Sequence, residues 1–171
     1  MRYVNFIYFI ALFLCQLAYS QPGIGSAKAL IKLEFEDIYG LKISNSEVIL
    51  NINSIEKFNS GTQSNWLNSH LIVTGLKNFE IDVKTLNPNF FSNNIETNVS
   101  VSNILINARS NSKINNIYLS SDSQILFSEK NGGLVNYIDI RYQIPAEKTF
   151  AFLNESNKIF ETLIVYTLIP N

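Results

Sequence analysis

The chain has 171 residues, 46% of them hydrophobic and only 16% charged, with 13 basic residues against 14 acidic ones. So nearly neutral a balance, without a block of either sign, excludes the basic footprint of a nucleic-acid binder and the electrostatic docking of a membrane-surface protein. A single histidine and a single cysteine also exclude the usual Cys/His zinc sets.

The N-terminal segment sets the expected compartment. Met1 and Arg2 give a positive start, and residues 4–14 are apolar except for Asn5. That core is shorter than the about 20 residues a membrane-spanning helix needs. Ala18-Tyr19-Ser20 places small residues at the two positions a signal peptidase reads, so the expected cut falls before Gln21. Residues 1–20 are therefore read as a signal peptide and residues 21–171 as the mature domain. The mature domain is expected to be secreted, periplasmic or at the cell surface, without stable membrane insertion. Cys15 offers a competing lipidation site, but Leu14 stands where a lipoprotein signal wants a small residue. With the cut before Gln21 the mature chain has no cysteine, and disulfides play no part in its fold.

Asparagine and serine fill many polar positions of the mature chain. Both compete locally for backbone hydrogen bonds inside helices and suit turns, so the composition predicts strands joined by polar loops. In residues 30–36, Ile31, Leu33 and Phe35 share one face and Lys32, Glu34 and Glu36 the other, a period-two strand pattern. Val48, Leu50 and Ile52 repeat it. Residues 54–58 are read as a short helix. Residues 77–85 give the clearest strand, with Phe79, Ile81 and Val83 inward and Glu80, Asp82 and Lys84 outward.

Thr97, Val99 and Val101 then shift phase to Ile104, Ile106 and Ala108, which a single strand manages with a bulge near Ser102-Asn103. Residues 123–127 and 134–144 flank Asn131-Gly132-Gly133 and are expected to form a hairpin. Its second arm carries Ile138, Ile140, Tyr142 and Ile144 on one face, and Pro145 ends it. Residues 146–154 suggest another short helix. Residues 160–169, apolar at both parities, read as a central strand that completes the domain from within. These segments, with no long helix between them, predict an all-β chain folded as one antiparallel β-sandwich.

The chemistry-bearing residues are few. His70 alone would have to serve any histidine-dependent mechanism, and no Gly-x-Ser-x-Gly elbow accompanies it. Asp122 with Ser120 and Ser121, and Glu36 with Asp37, offer oxygen ligands but fit no calcium loop. Glu34 and Glu36 fall on one exposed face, and Gly23-Ile24-Gly25 precedes no strand–helix unit that would cradle a phosphate. Asn98-Val99-Ser100 and Asn154-Glu155-Ser156 match a glycosylation acceptor. No catalytic, metal or cofactor residue is assigned. Trp66, in the polar stretch 61–69, is the one ligand-binding candidate, either as a platform for a sugar or as a plug folded over the sheet edge.

The run His70-Leu71-Ile72-Val73-Thr74, followed by Phe79-Glu80-Ile81-Asp82-Val83-Lys84, resembles small secreted β-sandwich proteins of Bacteroidetes. Upstream, Phe35-Glu36-Asp37-Ile38-Tyr39 and Phe58-Asn59-Ser60-Gly61 fit the same order, as do Tyr142-Gln143-Ile144-Pro145-Ala146 and Val165-Tyr166-Thr167 downstream. The pattern is similar in outline to spore-coat-U-type and chaperone–usher pilin-like domains. The resemblance implies an immunoglobulin-like sandwich and surface assembly, and it carries over no catalytic residue. The chain differs from a donor-strand pilin in residues 21–27, a short glycine-containing leader with little apolar alternation. The function expected is that of a non-enzymatic exported or cell-surface protein, a fimbrial or coat-like subunit whose partners are other surface subunits or itself. A carbohydrate-binding module using Trp66 and a polysaccharide-acting enzyme are the alternatives.

Overall fold

The structure, a computed structural model, describes residues 30–33, 39–75, 77–111, 113–130, 133–153 and 158–171. The expected signal peptide, Cys15, the glycine leader, Glu34, Glu36-Asp37, Asn131-Gly132 and Asn154-Glu155-Ser156 lie outside the described residues. The chain divides into two units, residues 1–35 and 36–171. Of the first, residues 30–33 are described. They form no strand, and Leu30 and Leu33 are 95% and 75% exposed, so the alternation there is not realised as a ladder over those residues.

The second unit is mostly β, and its described pairings between strands are antiparallel. In chain order it runs β1 (Tyr39–Ile43), α1 (Ile55–Ser60), β2 (Gly61–Gln63), β3 (Leu67–Gly75), β4 (Phe79–Thr85), β5 (Asn89–Ser92) and β6 (Ile95–Ser100). It continues with β7 (Leu105–Ser110), β8 (Lys113–Tyr118), β9 (Gln124–Glu129), β10 (Val135–Pro145) and β11 (Ile164–Pro170). Two 3-10 turns, Val101–Asn103 and Ala146–Phe152, interrupt it. A six-stranded sheet has the order β1-β3-β10-β7-β8, with β2 also on β10; a three-stranded sheet has the order β11-β4-β9; β5 and β6 form a separate ribbon.

Where one strand face is buried, the alternation does what period two dictates. Phe79, Ile81 and Val83 are buried, and so are Ile138, Ile140, Tyr142 and Ile144 on β10. With Leu71, Val73, Ile106, Ala108, Leu126 and Phe127 they form one hydrophobic cluster fed by both larger sheets. Val48, Leu50 and Ile52 are half-buried and pack against it, while Ile49 and Asn51 are exposed, yet the segment joins no ladder. Its alternation reports which side meets the core, and nothing in that pattern demands a hydrogen-bonded neighbour.

Three expectations are corrected. The phase shift after Val101 is a 3-10 turn, not a bulge: β6 ends in the small ribbon, and β7 begins afresh in the six-stranded sheet. Ser100 Oγ accepts from Ser102 N at 3.2 Å and caps that turn. The expected hairpin around Asn131-Gly132 does not form, because β9 pairs with β4 whereas β10 pairs with β3, β7 and β2, so the connection crosses between sheets. Turn residues bend the chain; they do not choose its partner. Third, among the described residues β11 pairs with β4 alone, at the end of the three-stranded sheet, in register from Ile164↔Thr85 to Pro170↔Phe79. Ile164, Tyr166 and Leu168 pack on the core, and the other parity reaches the surface at Ile169.

The hairpins that do form use asparagine. Asn93 and Asn94, at φ 51° and 64°, join β5 to β6, and Asn111, at φ 53°, begins the two-residue link from β7 to β8. Short polar side chains tolerate this left-handed backbone, and such turns match the twist of paired strands. Neither pair was read from the sequence, although Asn93-Asn94 is the signal that marks the first.

The end of α1 depends on a glycine. Gly61 has φ 81°, and a Cβ there would stand 2.5 Å from the Ile144 carbonyl oxygen and 2.8 Å from Ala146 N, both backbone atoms. Farther along the chain, the Thr149 hydroxyl lies within hydrogen-bond reach of the carbonyls of Phe58 (2.7 Å) and Ala146 (2.8 Å), between which its one proton is shared, and Phe58 packs edge-on against Phe150 at 5.3 Å. Gly61→Ala is expected to destabilise by more than about 1 kcal/mol, because strain and collision add; a urea midpoint equal to that of the parent would refute the close approach. Ile81→Ala is expected to cost about 2–5 kcal/mol as a cavity in the core, read from the same denaturation curves.

Candidate functional site

Two polar constellations flank the β3–β10 junction, one on each face of the six-stranded sheet, and a β-bulge creates both. Ile138 pairs with Leu71 and Ile140 with Leu67, so Asn68, Ser69 and His70 all stand opposite Asp139. Ser69 adopts φ 51°, a left-handed conformation that a non-glycine residue keeps only when its surroundings hold it there. The holding group is the Asp139 carboxylate, whose Oδ1 accepts from Ser69 N at 2.8 Å and whose Oδ2 accepts from Arg109 Nε at 2.9 Å.

On the inner face, the bulge turns His70 into the core beside Leu71, whereas a regular strand would put consecutive residues on opposite faces. His70 Nε2 lies 3.2 Å from the Tyr142 hydroxyl, and that hydroxyl lies 2.6 Å from the Tyr166 hydroxyl on β11. His70 Nδ1 faces Ser44 Oγ at 3.5 Å, and the His70 and Tyr142 rings meet edge-on. Burial pushes the His70 pKa below its ordinary value and pushes Tyr142 up to about 12, against the opposing pull of its hydrogen bond with Tyr166. Burial, the charge Tyr142 would carry and the shared hydrogen bond raise Tyr166 well above the usual tyrosine range. The cluster is neutral at pH 7, and each member is satisfied by another.

On the outer face lies Trp66. Ser64 fixes its approach: Ser64 N donates to the Tyr142 carbonyl at 2.9 Å, and Ser64 Oγ accepts from Tyr142 N at 3.1 Å. The Arg109 and Arg141 guanidinium carbons sit 4.1 and 4.6 Å from the centre of the half-buried Trp66 ring. Arg141 Nη2 donates to Asn107 Oδ1 at 3.1 Å, while Arg141 Nε and Asn107 Nδ2 are buried without an acceptor among the described residues. The sequence singled out Trp66 but not the two arginines, which are separated from it by 43 and 75 positions on β7 and β10. Their parity with Asp139 on one face was the only available clue.

The remaining singled-out residues are dispersed. Asp122 is exposed in a turn, where its N–H donates to Ser120 Oγ at 3.0 Å, and Asn98 is exposed on β6. Among the described residues no three His, Cys, Asp or Glu side chains are grouped to hold a metal ion, and no helix is long and apolar enough to cross a membrane. Comparison of the chain with protein-family models and with curated proteins finds no match.

The titration of the inner cluster has a definite sign. Raised tyrosine pKa values contribute stability that is intact below pH 10 and is lost as pH rises from there toward about 12. The depressed His70 value contributes stability present above its ordinary 6.5 and lost as pH falls below that, since the unfolded chain takes up the proton first. Urea midpoints are therefore expected to fall above pH 10, with a shallower fall in Tyr142→Phe. The NMR signal of the only histidine should titrate with a midpoint below 6.5; a midpoint at or above 6.5 contradicts the burial.

Proposed function

We propose that the chain is exported, loses residues 1–20 and acts as a non-enzymatic surface protein, an immunoglobulin-like sandwich that serves as a structural subunit with partners of its own or a related kind. The carrying observation is where the reactive residues are spent. His70 is locked into the core with two tyrosines, and Asp139 and Arg109 hold a strand bulge, so the groups best able to move protons serve the fold. The sandwich reading draws on the single hydrophobic cluster fed by both larger sheets and on the Tyr142–Tyr166 hydrogen bond between β10 and β11.

The described sheet edges favour assembly through loops over the addition of a strand. On β8, Asn115 Nδ2 donates to the Leu126 carbonyl of β9 at 2.8 Å, and Lys113 pairs with Glu129 at 2.9 Å while reaching the Ser128 carbonyl at 3.4 Å. Side chains thus occupy the carbonyls a new strand would need there, a common way to blunt an edge. β4 is already flanked by β11 and β9 of its own chain, which speaks against a groove awaiting a donor strand. β1 and β11 lie against each other within the chain, so the loops are what the proposal leaves for contacts between subunits.

Expression of the whole chain in a Gram-negative host tests this reading. The expected product is extracytoplasmic, begins at Gln21, carries no lipid, and forms concentration-dependent oligomers in sedimentation. A full-length cytoplasmic product or an acylated Cys15 would end the export reading, and a monomer at every concentration would end the subunit reading.

A further inference from the structure

We infer that the groove beside β8 is a binding site for an uncharged saccharide. The groove is open to solvent and offers about 560 Å³. It is built where three pieces of chain meet: the 3-10 turn after β6, the outer face of β8, and the segment leading into β9. Its polar lining comprises Ser100, Ser102, Asn116, Ser120, Ser121 and Gln124. None of its lining residues is charged. Pro88, Val101, Leu105, Ile117, Leu119 and the Tyr118 ring supply the apolar part.

That composition selects the ligand class. The lining itself offers an ion no counter-charge, and Lys148 and Glu147, which stand beside Tyr118, supply one charge of each sign and favour neither; an acyl chain would bury the serine hydroxyls against hydrocarbon. A saccharide matches both halves, since its hydroxyls donate and accept as serine hydroxyls and amides do, and its C–H faces pack on an aromatic ring. Two side chains are placed for this. Tyr118 is 40% exposed, and its ring is steadied by Lys148 Nζ at 5.3 Å and its hydroxyl by Glu147 at 3.5 Å. Asn116, two residues away on the same face of β8, is exposed; its backbone N–H donates to Asn115 Oδ1, and its side-chain amide makes no hydrogen bond among the described residues. Other groups are fixed in place: Ser100 Oγ and Ser102 Oγ are 2.9 Å apart, and Gln124 Nε2 donates to the Tyr118 carbonyl at 3.3 Å. The rim is therefore largely set before any ligand arrives.

The site differs from the one expected at Trp66, whose ring already carries two guanidinium groups. It is also independent of subunit assembly, so binding is measured on the monomeric fraction and a failure of one reading leaves the other standing. The test is a titration of the ¹⁵N-labelled mature chain with linear hexasaccharides of glucose, xylose and mannose, and with an oligogalacturonate as the anionic arm. The expected result is saturable amide shifts confined to residues 100–105 and 116–124 with at least one neutral hexasaccharide. Tyr118→Ala and Asn116→Ala should each weaken that binding about tenfold, the loss of one good contact, while Trp66→Phe leaves it unchanged. Asn116 is exposed, so its variant reports on binding even where Tyr118→Ala proves less stable. The proposal is overturned if no neutral hexasaccharide shifts those amides, if the shifts centre on Trp66, or if the oligogalacturonate binds more tightly than the neutral sugars.

Discussion

The hydrogen bond from Ser69 N to Asp139 is the constraint on which both polar faces of the central sheet depend. Three residues of β3 stand against one of β10 at this point, and an unpaired backbone donor in a left-handed residue would be costly if left unsatisfied. The carboxylate satisfies it, and Arg109 neutralises the carboxylate in turn. Because the bulge changes strand parity, it decides that His70 joins the core and that Trp66, on the other side of the bulge, lies against the arginines. A partly exposed ion pair of this kind has little worth by itself. Here it fixes the register by which the surrounding side chains find their faces.

The same junction explains why the core tolerates polar groups at its centre. His70, Tyr142, Tyr166 and Ser44 come from β3, β10, β11 and the residue after β1, so the network joins strands of both larger sheets. A buried hydroxyl without a partner costs more than the bond it would make is worth, which makes such a network specific: a shift of one strand leaves its members unpaired. The Arg141–Asn107 pair on the outer face is less complete, with one orphan donor on each side chain, and the Trp66 ring partly offsets that through its attraction for the guanidinium.

Burial was readable from the sequence wherever it followed simple alternation, and pairing was not. Phe79, Ile81 and Val83, or Ile138 through Ile144, announce their faces because each alternate side chain must be apolar to lie in the core. Nothing in residues 123–144 distinguishes a hairpin from a crossover between sheets, since both need a tight polar turn. The two short helical pieces fall where residues 54–58 and 146–154 are read as helical, and the structure adds a cap to the first, the Ser54 hydroxyl accepting from Lys57 N at 3.2 Å. β5 and β8 were missed for opposite reasons. Asn89–Ser92 is too short to establish a period, and β8 is an edge strand with little buried surface, so its pattern was never under the pressure that makes alternation visible. The site residues fared worst: Arg109, Asp139 and Arg141 look like ordinary solvent-facing positions until the register places them around Trp66.

That contrast also separates the two aromatic residues that a ligand could use. An aromatic ring recognises a sugar only through a face that is free or cheaply freed. Trp66 is half-buried on the outer face and held by two cations, and freeing its ring would leave Arg109 and Arg141 to resolvate. Tyr118 stands on an edge strand, carries one lysine at the longer distance of 5.3 Å, and borders a groove whose lining residues are uncharged. The more conspicuous residue in the sequence thus packs against two arginines, and the less conspicuous one has the more open ring.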